Sequence, residues 1–440
     1  MLNPRIVAPY MSMPDITALL LAATQPSPSL LRLAATFSTR VTLSAPALCI
    51  DGSPAVYYVS HGTNATAWLF HHQGSGWCQT LGECAERAKG QYGSSSGYPA
   101  TMDLRSVDIA RGPWAPPVRG HNHFDRNCSV NPLFCRWNFV YMPSCDGQSF
   151  AGGASGSFNG TKLHFRGRAI REAVMASLRQ RLGTATHAVI TGCSSGGAAT
   201  FFHVDWYAEQ LPHAMTRGMP DSGVFLDGNY ARDHKDDYGA RMANLYTMAN
   251  VSSGLPPACV AVKGQKCLFA EHVIPFLRTP LFAINSAYDA SMAAGEYMSV
   301  AGRPLGNFSC PEYCEPTRSP SAGPCAAAAC VASMNAFGHY ISVSLTTLLK
   351  APHGLFLDSC YRHCGQLTEQ LGVGGLSPLT AFKHWFETGA LPGGGTQWRQ
   401  GKAFPCPGCC ARQQRDGYLR NSGTGEPPAH HTLRGWPLPL

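Results

Sequence analysis

The chain has 440 residues, 44% of them hydrophobic, so it can bury a sizeable core. Charged residues make up only 14%, against roughly 25% in an average soluble protein, and the formal net charge is +8. No apolar run reaches the roughly 18 residues of a membrane span, and the positive charge is dispersed without a nucleic-acid module, so neither a transmembrane segment nor a nucleic-acid partner is expected.

Residues 1–44 read as a leader or signal region with a flexible approach: Ile16–Ala23 is apolar, and Arg5 is the one basic residue ahead of it. Structure is expected from Ala47 onward. Ala55–Val59, Ala67–His72 and Trp137–Met142 read as strands. A helix is predicted over Arg168–Leu178, where Ile170, Val174 and Leu178 recur every four positions. A β-branched strand at 187–191 follows, then a tight turn and a helix through Phe201, Phe202, Val204 and Asp205. Pro280–Asn285 reads as a short buried strand. Ser377 and Pro378 start a helix that carries Leu379, Phe382, Trp385 and Phe386, with serine as N-cap and proline in the first turn. The stretches 85–130 and 301–332 read as long loops pinned by disulfides, and 411–440 as a disordered tail. Strands alternating with helices predict an α/β fold: a doubly wound, mainly parallel sheet covered on both faces, in a single domain over 45–410.

Eighteen cysteines point to an oxidising compartment. Several lie in short local pairs: Cys78/Cys84, Cys259/Cys267, Cys310/Cys314, Cys325/Cys330 and Cys360/Cys364. Cys78–Cys84 and Cys360–Cys364 are the expected local bridges, with Cys193 left as the odd one beneath its turn. The Cys-x-x-Cys at Cys406–Cys409 has no second ligand pair at finger spacing, so structural zinc is not expected. Sequons at Asn64, Asn127, Asn159, Asn250 and Asn307 add to the case for a secreted glycoprotein of the extracellular space or cell wall.

The segment Val189-Ile190-Thr191-Gly192-Cys193-Ser194-Ser195-Gly196-Gly197 has the pattern of a nucleophile elbow, a strand–turn–helix with Gly-x-Ser-x-Gly at the turn. Ser194 fits both glycines; with Ser195 as nucleophile the first glycine position would be Cys193. A serine needs a histidine base and a carboxylate that fixes the histidine tautomer. Asp289, beyond the strand at 280–285, is the candidate acid, with Asp221 and Asp227 as rivals. His363 is the candidate base, with His339, His353 and His384 as alternatives. An oxyanion hole needs converging N–H donors. Ser195 supplies one from the elbow, and the glycine-rich loop Gln73–Cys78 after the strand 67–72 supplies Gly76 and Trp77.

These segments, taken together, resemble the pectin acetylesterase / Notum family. The resemblance rests on Cys49–Pro54, Gly76-Trp77-Cys78, Trp137-Asn138, Cys145–Phe150, Phe165-Arg166-Gly167, the elbow 192–197, Asn285–Asp289 and Ser359–Cys364, in that order over roughly 47–410. It implies an α/β-hydrolase-like fold with Ser194 as nucleophile, Asp289 as acid and His363 as base, and no metal or organic cofactor. Two places depart from the family's pattern. Gln73-Gly74-Ser75-Gly76-Trp77-Cys78 stands where Glu-Gly-Gly-Gly-Trp-Cys is usual, and Ser195 stands where alanine is usual. The implied function is a secreted, monomeric serine ester hydrolase acting on an acetylated, pectin-like polysaccharide. A Notum-like deacylase of longer acyl chains on proteins, and a binding protein on a hydrolase scaffold, are the alternatives.

Overall fold

A computed structural model of the chain describes residues 37–105, 122–227, 238–289, 291–292, 299–300, 303–304, 328–365, 367, 376–406 and 409. The strands, in chain order, are β1 (Phe37–Thr42), β2 (Val56–Ser60), β3 (Ala67–His72), β4 (Thr101–Asp103), β5 (Asn138–Met142), β6 (Ala154–Phe158), β7 (Thr161–Phe165), β8 (His187–Cys193), β9 (Met215–Asp221), β10 (Phe282–Asp289), β11 (Ser299–Val300), β12 (Arg303–Pro304), β13 (Gly354–Arg362) and β14 (Gln397–Arg399). Ten of them form one sheet in the order β14-β13-β10-β9-β8-β3-β5-β2-β1-β4. Every pairing from β14 to β5 is parallel; β5–β2, β2–β1 and β1–β4 are antiparallel.

The chain winds outward from β3 in both directions, to β5 on one side and through β8, β9, β10 and β13 on the other. The strand order therefore reverses between β3 and β8, and loops leaving their carboxyl ends flank a crevice of the kind where such sheets bind ligands. All six residues of β3 are buried because both faces are covered. Trp68 and Phe70 join the core formed with helices Gly167–Leu182 and Ser195–Gln210. Leu69 joins the opposite core, with Phe382, Trp385 and Phe386 of helix Pro378–Thr388.

The elements read from periodicity fall close to where they were expected. Helix Gly167–Leu182 buries Ile170, Val174 and Leu178. Ser377 caps its helix by accepting from the Thr380 N–H at 3.1 Å, and Gly389 ends it at φ 78°. Among the described residues no helix is long and apolar enough to cross a membrane.

Three expectations need correction. Residues 37–42, read as part of a flexible leader, form β1 and pair with both β2 and β4; the alternation in this segment is too short to stand out without those partners. The stretches 85–130 and 301–332 are not purely loop: the first supplies β4 and a 3-10 turn at Asn122–Phe124, the second β12 and the start of helix Ala328–Leu348. Strand β10 runs on to Asp289 instead of ending at Asn285: its polar residues are buried, and the Ser286 hydroxyl donates to the Cys360 carbonyl. The leader residues 1–36, the tail 411–440, Asn307, Cys310, Cys314 and Cys325 lie outside the described residues.

Cys78–Cys84 forms as expected. Cys360–Cys364 does not: Cys364 bonds Cys193, which is therefore not the odd thiol, and Cys360 is disulfide-bonded elsewhere. Proximity in sequence misleads here because β13 leads Cys364 directly over the end of β8. Further bridges join Cys49–Cys145, Cys128–Cys135, Cys259–Cys267 and Cys406–Cys409, and the described residues hold no free cysteine.

Cys193 and Cys364 are 171 positions apart, Cys128 and Cys135 only 7. On chain entropy alone the long loop constrains the unfolded state by about 5 kcal/mol and the short one by about 2. The double variant Cys193→Ser/Cys364→Ser should therefore lose clearly more stability in urea titrations than Cys128→Ser/Cys135→Ser. Equal losses, or more than about four free thiols in denatured unreduced protein, would contradict the disulfide framework.

Candidate active site

The elbow is built by close approach. A Cβ on Gly192 would lie 2.4 Å from the Gly196 carbonyl oxygen, and one on Gly196 would lie 2.1 Å from that of His72. Only glycine lets β8 bend directly into helix Ser195–Gln210 beside β3. The strain falls on Ser194, at φ 59° and ψ −129°, the sharp conformation that lifts a side chain off the sheet at a helix N-terminus. Its N–H donates to the Asp221 carbonyl at 3.1 Å.

Asp289 and His363 meet because β10 and β13 are parallel neighbours with Asp289 opposite Arg362. A register irregularity inserts one extra residue in β13 between Asp358 and Tyr361. Such a bulge re-aims the side chains beyond it, and His363 is the first residue past the strand. The His363 Nδ1 lies 2.8 and 2.9 Å from the two Asp289 oxygens. An ionised carboxylate only accepts, so Nδ1 carries the hydrogen and the lone pair is on Nε2. Asp289 is buried, and its Oδ1 also accepts from the N–H groups of Ser291 and Met292 at 3.0 and 3.2 Å.

The Cys193–Cys364 bridge joins the residue before Ser194 to the residue after His363. A ring nitrogen of His363 and both bridge sulfurs lie within 4.8 Å of one another. Both sulfurs are bonded to each other, so the trio is not a thiolate ligand set. The Cys364 N–H donates to the Ser222 hydroxyl at 2.9 Å, which ties the histidine loop to the residue just past β9 as well.

The loop after β3 lies against the elbow. A Cβ on Gly74 would sit 2.2 Å from the Cys193 carbonyl oxygen and 2.9 Å from Ser194 Cβ. The N–H groups of Gly76, Trp77 and Ser195 donate to no acceptor among the described residues. The Trp77 indole donates to Ser149 Oγ at 2.9 Å, and that hydroxyl donates to the Ser195 carbonyl at 2.8 Å, so loop and elbow are cross-braced. The Trp77 ring meets Phe225 edge-on at 4.7 Å, and Phe225 stands 6.4 Å from the His363 ring.

The departures from the usual family residues fall into one network. The Ser75 N–H donates to Ser195 Oγ at 2.9 Å, the Ser75 and Ser144 hydroxyls are 2.6 Å apart, and Gln73 Oε1 accepts from the Ser144 N–H at 3.0 Å.

The rival residues have other employment. Asp227 pairs with His272 at 3.0 Å and Lys266 at 3.1 Å. His353 accepts from the Leu281 N–H at 3.3 Å, and burial pushes its imidazole below the ordinary range. His384 faces the Ala390 carbonyl at 2.7 Å, and His339 lies on helix Ala328–Leu348. Cys406 and Cys409 are bridged to each other.

Asp221 is a participant in the site's electrostatics that sequence treated only as a rival. Burial raises it to about 7, Arg362, Ser222 and His363 pull against that rise, and Asp289 adds to it. The folded protein thus keeps a proton that the unfolded chain releases near the ordinary value of 3.8. Stability contributed by this group is present at low pH and falls as pH rises from about 4 to about 7. Asp221→Asn should flatten the pH dependence of the urea midpoint across that window. An unchanged slope would show that Asp221 is ionised throughout.

The pectinacetylesterase family profile matches residues 34–378. Pectin acetylesterase 5 of Arabidopsis thaliana is 30% identical over 338 residues, 72% of this chain and 70% of that protein. The palmitoleoyl-protein carboxylesterase NOTUM of Homo sapiens is 26% identical over 62% of this chain and 54% of its own length. The crystal structure of the Wnt deacylase Notum from Drosophila superposes with a TM-score of 0.63 at 20% identity, covering 84% of this chain and 99% of that one, which supports the α/β-hydrolase-like fold. With the profile spanning most of its length, the chain belongs to the pectinacetylesterase family.

Proposed function

We propose that the chain is a serine carboxyl-ester hydrolase that removes O-acetyl groups from a pectin-like polysaccharide, with Ser194, Asp289 and His363 as its triad. The observation that carries this reading is the bidentate contact of Asp289 with His363 Nδ1, on a histidine stapled through Cys364–Cys193 to the strained Ser194. His363 Nε2 takes the Ser194 proton as Oγ attacks the ester carbonyl. The tetrahedral oxyanion is received by the N–H groups of Gly76, Trp77 and Ser195. The protonated Nε2 then gives its proton to the departing sugar oxygen, leaving acetyl-Ser194. Water, deprotonated by His363, attacks this ester and releases acetate and free serine. One chain supplies every group, so a monomer suffices. The disulfides and sequons suit a secreted protein.

The acetyl preference is supported by the relatives named pectin acetylesterase.

Ser194→Ala should abolish fluorophosphonate labelling, and Ser194→Ala, Asp289→Ala and His363→Ala should each cut p-nitrophenyl acetate hydrolysis by roughly 10⁴-fold or more, non-additively. Ser195→Ala should retain most activity. Labelling of Ser194→Ala at the wild-type level would remove the proposal. Across p-nitrophenyl esters of rising chain length, kcat/KM should peak at acetate. A maximum near eight carbons or beyond would instead favour a deep pocket, in which each methylene gains about 0.8 kcal/mol, and the long-chain deacylase reading.

A further inference from the structure

The helix Leu81–Arg87 is short but firmly set. Thr80 caps it by accepting from the Glu83 N–H at 3.2 Å, and Cys78–Cys84 bolts it to the loop that precedes it. Its last residue, Arg87, turns back beneath that loop. Arg87 Nη2 donates to the Ser75 carbonyl at 2.7 Å, to Ser75 Oγ at 2.5 Å and to the Gly76 carbonyl at 3.3 Å. Nε donates to the Tyr92 carbonyl at 3.2 Å, and the guanidinium lies 5.4 Å from the centre of the Tyr92 ring. Buried Asp146 attracts it electrostatically.

The two carbonyls belong to the same peptide units as the N–H groups of Gly76 and Trp77. A trans peptide is planar, with its C=O and N–H pointing opposite ways. One guanidinium nitrogen that gathers both carbonyls therefore turns both N–H groups away from itself, to the same side. In extended backbone consecutive carbonyls alternate sides; Gly76, at φ 69°, departs from that conformation, and the Ser75 and Gly76 carbonyls both face Arg87. A charged donor on each carbonyl also polarises the peptide, which strengthens the N–H at its other end.

We propose that Arg87 is the positioning residue of the oxyanion hole, holding the Gly76 and Trp77 donors in place from behind without touching substrate. This rests on the ester-hydrolase reading above. It makes a distinction between ground state and transition state: the donors matter most when the carbonyl oxygen becomes an anion, so loss of Arg87 falls on kcat more than on KM.

The test compares wild type, Arg87→Met and Arg87→Lys on p-nitrophenyl acetate, with circular dichroism and thermal melts as folding controls. Both variants should lose roughly 10- to 100-fold in kcat, less than the cost of deleting a donor outright, while KM stays within about threefold. Affinity for a trifluoromethyl ketone, which binds as a tetrahedral oxyanion adduct, should fall by the same factor as kcat. Arg87→Ala should regain part of its kcat in millimolar guanidinium, an effect that a purely structural role would not give. Should Arg87→Met fail to fold, Arg87→Lys keeps the charge but not the planar fork and carries the same comparison. A folded variant with kcat within twofold of wild type, or with a rise in KM alone, overturns the proposal. If wild type itself shows no Ser194-dependent fluorophosphonate labelling, the hydrolase reading fails instead, so the two failures are distinguishable.

Discussion

The Cys193–Cys364 bridge is the constraint on which the site depends. Ser194 is set by β8 and His363 by β13, two strands separated in the sheet by β9 and β10. Sheet twist and loop freedom would let their ends drift apart, because strands that are not neighbours share no hydrogen bonds. The disulfide removes that freedom with one covalent link between the residues adjoining the serine and the histidine. Asp289 needs no such link, since β10 and β13 are direct partners and their ladder carries the carboxylate to the imidazole. The ordering of the proposed triad thus has two sources, backbone pairing for Asp289 and His363, and a crosslink for His363 and Ser194.

How much of this was legible in the sequence follows from how local each signal is. The elbow was readable because its demand for small residues is met within five positions, Gly192 to Gly196. The helices were readable for a similar reason: Ile170, Val174 and Leu178 repeat at helical spacing. That the loop Gln73–Cys78 would lie by the elbow followed from its place after a strong strand signal. The local bridge Cys78–Cys84 was legible, but long-range cysteine pairing was not. Cys364 lies four positions from Cys360 and 171 from Cys193, and only the fold makes the second distance the short one. The continuation of β10 through Ser286 and Asp289 was hidden for the complementary reason. Polar residues look like a loop until their buried partners, here the Cys360 carbonyl and the His363 ring, are in place.

The same logic explains why Asp221 was visible only as a rival. A carboxylate at the end of a strand in this fold is a fair candidate for the triad, and its position one strand from Asp289 is close. What separates them is solvation. Asp289 receives two backbone N–H groups and an imidazole N–H, donors that stabilise a charge. Asp221 is buried and raised by that burial, with only partial relief from Arg362, Ser222 and His363. Two carboxylates of similar address thus have different surroundings: Asp289 is met by three N–H donors, whereas burial disposes Asp221 to hold its proton.

The residues that depart from the family's usual pattern make most sense as one unit. Ser195 places a buried hydroxyl beside Ser194, and Ser75 puts a side chain where a glycine is usual. Each finds its own partner: Ser195 Oγ accepts from the backbone N–H of residue 75, which a glycine would also offer, while the Ser75 hydroxyl meets Ser144 and Arg87. Gln73 completes the arrangement by accepting from the Ser144 backbone. A neutral amide at this position adds no charge near Arg87, which buried Asp146 attracts electrostatically. The Ser75 N–H is thereby taken out of reach of a substrate oxyanion, and the donors of Gly76, Trp77 and Ser195 are left as the open set. The substitutions change how the loop is braced while leaving those N–H groups without an acceptor among the described residues, as the proposed oxyanion hole requires.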